Sequence, residues 1–172
     1  MASHRARPSN PYEGIFPTPV QATHDRFVAP TTGNELATYR WGEVGVKRGV
    51  VLLVHGFGEH LGRYHHVAGF FAERGYEVVG IDHRCHGRSS GMAGANGRLQ
   101  SLDILVCDLV DFIRNKVAGR GGRHFVYSHS TGGLVTFLAM KRQLYQGAWT
   151  EVGIQIVFCA IHIILYCSSC LL

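Results

Sequence analysis

Three continuous apolar runs, rich in β-branched residues, recur along the chain. They are GVVLLVHG (49–56), YEVVGIDH (76–83) and RHFVYSH (123–129). Runs of this length that are bounded by glycine or polar residues are typical of strands buried on both faces of a sheet. Because a segment with helical periodicity follows each run, the pattern predicts an α/β fold with a mostly parallel sheet and flanking helices.

The segments between the apolar runs repeat their apolar residues at three- and four-residue spacing, which predicts amphipathic helices. Residue Gly75 is suited to end the first of them, since glycine tolerates a positive φ. The predicted helices cover residues 61–75, 99–117 and 131–144.

The two ends of the chain differ from this core. Residues 1–22 are rich in Pro, Ser, Thr and Asn and predict an arm laid over the surface. Two short segments, 24–30 and 35–41, flank the sequence TTGN and predict a hairpin. We therefore expect one domain over residues 23–150 and an atypical hydrophobic tail over residues 151–172.

The tail, EVGIQIVFCAIHIILYCSSCLL, is open to more than one interpretation. Its first half can form a strand, and its β-branched content favours that structure over a helix. A membrane association through residues 152–172 is one alternative, although a helix over residues 152–167 would reach only about 24 Å across a hydrocarbon core of about 30 Å. Disorder or aggregation of this segment is another. The last residues match no element of the predicted fold.

Composition describes one globular domain, with 172 residues of which 46% are hydrophobic and 17% charged. The net charge is +5, but the basic residues are scattered from Arg5 to Arg142 without an aromatic-interleaved stripe, so no nucleic-acid partner is expected. The five cysteines form no disulfide framework and the N-terminus has no apolar signal region. These features predict a cytoplasmic location.

The third apolar run leads into SHSTGG, which places Ser130 where a strand meets a helix. A nucleophilic serine occupies such a strained turn, and the small residues Ser128 and Gly132 on either side let strand and helix approach closely. The helix that begins at Thr131 directs its amides and its positive dipole end toward the serine, which favours a developing oxyanion. A serine or threonine that only caps the helix would fit the same sequence pattern.

A second glycine-rich stretch, HGFGEH (55–60), follows the first buried run. The carboxyl ends of parallel strands share one edge of the sheet, so this loop is expected to face Ser130. We expect the backbone amides of Phe57 and Thr131 to form an oxyanion hole, whereas a plain glycine turn is the alternative.

Three blocks, HGFGEHLGRY, DHRCHGRSSG and SHSTGG, occur in the order and spacing typical of α/β-hydrolases. Over roughly residues 10–145 the chain resembles the monoacylglycerol lipase-like branch of that superfamily, which is grouped with serine aminopeptidase-type hydrolases. The resemblance implies that the first block supplies the oxyanion loop, the second shapes the rim and the third carries the nucleophile. Cys85 stands where the group usually has glycine, which implies an altered turn.

The resemblance also implies a triad acid and a triad histidine after the serine, with the histidine last. Beyond Ser130 the sequence contains one acid, Glu151, and one histidine, His162. Neither is well placed, and the His129 side chain is expected to point away from the serine in a structural role. The sequence thus identifies no triad acid or histidine, and it predicts a partial hydrolase fold truncated after about the sixth strand.

Several histidines near the rim raise the question of a metal. Their spacing matches neither an HExxH motif nor a paired CxxC motif, so no metal and no cofactor are expected. These histidines are His55, His60, His65, His66, His83 and His86.

The resemblance implies a serine hydrolase that cleaves acyl esters such as monoacylglycerols through an acyl-enzyme on Ser130. Because no partner for the serine is found, this chain alone is expected to be inactive. A non-catalytic or membrane-associated hydrolase homologue is the alternative, and a peptidase activity within the same family stays open.

Overall fold

The computed structural model describes residues 20–42, 48–89, 101–145 and 154–158. The strands are β1 (Thr23–Val28), β2 (Glu35–Trp41), β3 (Gly49–Val54), β4 (Tyr76–Ile81), β5 (Arg123–Ser128) and β6 (Ile154–Phe158). The α-helices are α1 (His65–Ala72), α2 (Leu102–Phe112) and α3 (Thr131–Tyr145). The described strands form one sheet in the order β1-β2-β4-β3-β5-β6.

The sheet is antiparallel at one side and parallel over the rest. Strands β1 and β2 form the predicted hairpin, and the turn between them contains Gly33 at a φ of +69°. Strand β2 pairs antiparallel with β4, whereas β4, β3, β5 and β6 are parallel to one another. The prediction of an α/β fold with a mostly parallel sheet is confirmed.

Strand β3 lies at the centre of the sheet and is buried along its whole length. Its alternate side chains enter two separate cores, which explains the continuous apolar run. On one face Val50, Leu52 and Val54 pack with residues of α2 and α3, and on the other Val51 and Leu53 pack toward α1. Burial of apolar surface on each face stabilises the layered fold by about 25 cal/mol per Å².

The first predicted helix is broken into two pieces. A 3₁₀ turn covers Leu61–Arg63 and α1 begins only at His65. The buried carboxylate of Asp82 holds the amide of Leu61 at 2.7 Å, which ties this first turn to the end of β4. Gly75, at a φ of +81°, lies in the turn after the helix and not at its last residue.

The second predicted helix also changes its geometry before its end. The Ser101 hydroxyl accepts the Asp103 amide proton and caps α2, which is regular to Phe112. Residues Ile113–Val117 continue as a π-helical turn. There the Asn115 side-chain amide donates to the Asp111 carbonyl at 2.8 Å, competing with the backbone for that acceptor.

The strand expected in the first half of the tail is present as β6, which pairs with β5 from His124 opposite Ile154. Most of the predicted arm, residues 1–19, and the end of the tail, residues 159–172, lie outside the described residues. Within the described ranges, no helix is long and apolar enough to span a bilayer.

Candidate active site

Ser130 occupies the turn between the end of β5 and the first residue of α3. Its φ is +51°, in the left-handed region that a residue with a side chain adopts only at a cost of roughly 1–2 kcal/mol. The amide of Gly133 donates to the Ser130 carbonyl at 2.9 Å and starts the helix directly behind the serine. The backbone strain at this position presents the hydroxyl at the carboxyl edge of the sheet.

Two glycines allow the loop after β3 to pack directly against this turn. A Cβ atom at Gly132 would lie 2.5 Å from the Val54 carbonyl oxygen and even closer to the His55 carbonyl. A Cβ atom at Gly56 would lie 3.1 Å from the Cβ of Ser130. The small residues that the sequence places here are therefore required by backbone contact, not by turn geometry alone.

The loop and the turn carry the two amides expected to form an oxyanion hole. Within the described part of the chain, the N–H groups of Phe57 and Thr131 have no protein acceptor, whereas those of Gly56 and Gly58 are bonded to side chains. The Phe57 side chain is 58% exposed, so it lies over the rim and not in the core. Neither amide is therefore bonded to a described residue, as an oxyanion hole would require.

Glu59 connects the loop to the turn. One of its oxygens, Oε1, accepts the Gly56 amide proton at 2.5 Å, the Tyr64 hydroxyl at 2.8 Å and the His129 Nδ1 proton at 2.9 Å. Burial raises the pKa of Glu59, but the hydrogen bonds from His129, Gly56 and Tyr64 outweigh that effect and hold it below its ordinary value. Glu59 is therefore a carboxylate at neutral pH, and His129 is directed toward it.

Three histidines pack beneath the loop, with the rings of His55 and His83 4.4 Å apart. Nε2 of His55 accepts the His83 amide proton at 2.8 Å, so its proton is on Nδ1, which donates to the Gly56 carbonyl at 2.7 Å. Nε2 of His86 accepts the Gly58 amide proton at 3.2 Å. Burial is the main cause that lowers the pKa of His55 and of His83, which keeps both rings neutral.

These histidines serve as hydrogen-bonding partners of the backbone. Among the residues that the structure describes, no group of His, Cys, Asp and Glu side chains is arranged to hold a metal ion. Their rings, each hydrogen-bonded to loop backbone, support the shape of the rim.

The second sequence block folds around Asp82, which is fully buried. Its Oδ2 accepts the Tyr39 hydroxyl at 2.9 Å and the Arg88 amide at 2.8 Å, while Oδ1 accepts the Leu61 amide. The Ser89 hydroxyl donates to the Asp82 carbonyl at 2.5 Å. One carboxylate thus links strand β2, the turn before α1 and the loop after β4.

Cys85 lies in this block at a φ of +60° and is exposed. Because a left-handed conformation costs a side-chain-bearing residue roughly 1–2 kcal/mol, Cys85→Gly should relieve strain. The extra chain entropy of glycine in the unfolded state offsets part of that gain. We expect the free energy of unfolding to rise by about 0.5 kcal/mol, measured by urea denaturation.

Cys107→Gly serves as the matched control, because Cys107 lies within α2 and a helical glycine lowers stability by about 1 kcal/mol. A loss of stability in both variants would contradict the interpretation of strain at Cys85.

Comparison with known proteins decides the family. The model of the serine aminopeptidase S33 family matches residues 45–159, which is more than half of the chain. The chain is a member of this hydrolase family.

Two curated relatives of this S33 hydrolase have lipase names. A monoacylglycerol lipase of Mycolicibacterium smegmatis is 41% identical over 110 residues, covering 61% of this chain and 36% of that protein. A monoglyceride lipase homolog of Monkeypox virus is 31% identical over 100 residues, covering 58% of this chain and 35% of that protein. The S33 hydrolase chain therefore spans little more than a third of the length of these relatives.

The described fold is similar to part of a larger solved enzyme. Epoxide hydrolase I of potato (Solanum tuberosum) superposes with a TM-score of 0.64 at 22% identity, covering 80% of this chain and 39% of the potato chain. At this level of identity the likeness shows the α/β-hydrolase fold alone. The resemblance to α/β-hydrolases found in the sequence is confirmed.

The structure of the S33 hydrolase brings together the loop of Phe57 and the turn of Ser130 and Thr131, as the sequence blocks predict. Glu151 and His162 lie outside the described residues. Glu59 was not predicted to have a role, and Asp82 was predicted only as part of the block that shapes the rim, although both stand inside the quoted motif blocks. An acid in a glycine-rich loop, and one directly after a buried strand, were the available signals.

Proposed function

We propose that this S33 hydrolase is of the monoacylglycerol lipase type and cleaves acyl esters through an acyl-enzyme on Ser130. The observation that carries the proposal is the left-handed Ser130, held at the strand-to-helix turn in backbone contact with the loop of Gly56. Two unbonded amides flank it within the described residues. The names of the two curated relatives support the ester class of substrate.

The proposed reaction needs an acceptor for the serine proton. The Ser130 Oγ atom attacks the ester carbonyl carbon, and the carbonyl oxygen takes up negative charge that the Phe57 and Thr131 amides stabilise. The C–O bond to the alcohol then breaks, the alcohol leaves with a proton, and water later releases the fatty acid.

No histidine in the described ranges is hydrogen-bonded to the Ser130 hydroxyl. His129, the nearest in sequence, donates to Glu59 instead. The general base and its acid are therefore proposed to lie outside the described residues, and a form without them would be the non-catalytic homologue.

Labelling with a fluorophosphonate probe tests the assignment of Ser130. Covalent labelling of the folded protein that is lost completely in Ser130→Ala, with the adduct mapped by mass spectrometry to residues 124–140, would support the proposal and would overturn the inactivity expected of this chain from its sequence. Ser128→Ala is the matched control, since Ser128 is a buried serine two residues earlier whose hydroxyl should not react. Labelling that persists in Ser130→Ala, or folded protein that does not react, would overturn the proposal for this chain.

A comparison of substrates separates ester hydrolysis from peptidase activity. If the protein labels at Ser130, we expect a 1-monoacylglycerol to be turned over and an amino-acid anilide to be left intact. The reverse preference would assign an aminopeptidase. Subcellular fractionation tests the proposed cytoplasmic location. Extraction that requires detergent, and no longer does so when residues 152–172 are deleted, would favour membrane association instead.

A further inference from the structure

We propose that Glu59 is a positioning residue that sets the separation between the oxyanion loop and the nucleophile turn. The inference rests on the proposed function, because it assigns Glu59 to the same reaction. Glu59 acts through its neighbours and does not itself touch the reacting atoms.

The three donors to Glu59 come from three different parts of the chain. Gly56 belongs to the loop after β3, Tyr64 stands at the start of α1, and His129 follows β5. Their bonds converge on one carboxylate oxygen, Oε1, at 2.5 to 2.9 Å. A single anionic oxygen therefore joins segments that the sheet alone brings only to the same edge.

Two of these donors are immediate neighbours of the reacting groups. Gly56 precedes Phe57, whose amide is one proposed oxyanion donor, and His129 precedes Ser130. The Phe57 N–H lies in the same planar peptide as the Gly56 carbonyl, which accepts the His55 Nδ1 proton at 2.7 Å. Rotation of Gly56 away from Glu59 would redirect the Phe57 amide.

Backbone contacts set the approach of the two segments but leave this orientation free. The His129 amide donates to the Val54 carbonyl at 3.1 Å, which fixes the turn to the end of β3. Gly56 lies beyond that contact and has no Cβ atom to limit its rotation, so two side-chain bonds orient it: His55 donates to its carbonyl, and Glu59 accepts its amide proton. A charged acceptor makes this bond roughly twice as strong as a neutral one.

Amide exchange and NMR shifts test this role without any need for turnover. We expect Glu59→Gln to exchange the Gly56 amide proton at least tenfold faster than the wild type, and to move that proton upfield because it loses a charged acceptor. The His129 ring nitrogens should change from one tautomer to a mixture. Glu59→Asp, which keeps the charge, should restore part of both signals.

Glu73→Gln is the matched control, an exposed glutamate after α1, and it should leave the Gly56 and His129 signals unchanged. If Glu59→Gln does not fold, Tyr64→Phe replaces it in the test. This variant removes one donor and keeps the carboxylate, so it should change the Gly56 and His129 signals in the same direction but by less. Unchanged Gly56 exchange and shift in folded Glu59→Gln would overturn the role of Glu59.

The rate of fluorophosphonate labelling extends the test to reactivity. A misplacement near 1 Å costs on the order of 10²-fold, so Glu59→Gln should label roughly 10- to 100-fold more slowly with unchanged circular dichroism. Equal rates in folded Glu59→Gln and wild type would contradict the inference even if Ser130 is the nucleophile. If the wild type itself does not label, the proposed function fails, while the amide signals still decide whether Glu59 orients the loop.

Discussion

Replacing Asp82 by alanine is expected to lower the free energy of unfolding by about 3–5 kcal/mol, since three hydrogen-bond donors lose their acceptor inside the protein. Those donors are the Leu61 amide, the Tyr39 hydroxyl and the Arg88 amide. The first two bonds are fully buried, so water cannot replace the carboxylate without opening the rim. Guanidinium denaturation followed by circular dichroism measures the change.

Asp82→Asn keeps the shape of the side chain but replaces one acceptor oxygen with an amide donor that faces other donors. Its free energy of unfolding should lie between those of Asp82→Ala and the wild type. Asp25→Asn is the control, an exposed aspartate that bonds only the next amide among the described contacts, and it should change stability by less than about 0.5 kcal/mol. A loss under about 1 kcal/mol in Asp82→Ala would show that the network contributes little.

The second large effect is expected for Gly132→Ala. The added methyl group would meet the Val54 and His55 carbonyl oxygens, which are backbone atoms of the central strand and its loop and cannot rotate away. Overpacking of this kind costs about 3 kcal/mol, and relief of the clash would separate α3 from the loop of Phe57. We expect a lower midpoint of thermal unfolding together with slower labelling of Ser130.

Gly119→Ala provides the comparison, because a Cβ atom at Gly119 meets nothing within 4 Å. Its midpoint should equal or exceed that of the wild type, since alanine restricts the unfolded chain. An equal fall in both variants would mean that the loss at Gly132 has no connection with the close approach.

The elements that could be predicted from sequence are those whose pattern is set by burial. Strand β3 was predictable because both of its faces enter a core, and the β1–β2 hairpin because TTGN allows only a tight turn. The break after Arg63 was not predictable from periodicity, since it depends on Asp82, which is distant in sequence. The π-helical end of α2 was likewise not predicted, and there the Asn115 side chain donates to the Asp111 carbonyl.

In the candidate site too, features set by local sequence pattern were predictable, and features set by contacts between distant residues were not. The motif and the strand order placed Ser130 on a turn and Phe57 in a facing loop, because together they fix which edge of the sheet the two share. The role of Glu59 depends on three contacts at separations of 3, 5 and 70 residues, and no local pattern encodes the longest of them. A single sequence therefore indicates which groups meet but not what holds them in register.

The place of β6 in the sheet has a consequence for how the domain opens. This five-residue strand pairs with β5, and within the described ranges it is the outermost strand on that side. Outer strands open at a lower energetic cost than the interior of a sheet, and opening here would expose one flank of the strand that leads into Ser130. Among the described strands, we therefore expect fraying at β6 to reach the turn of Ser130 before the buried strand β3 opens.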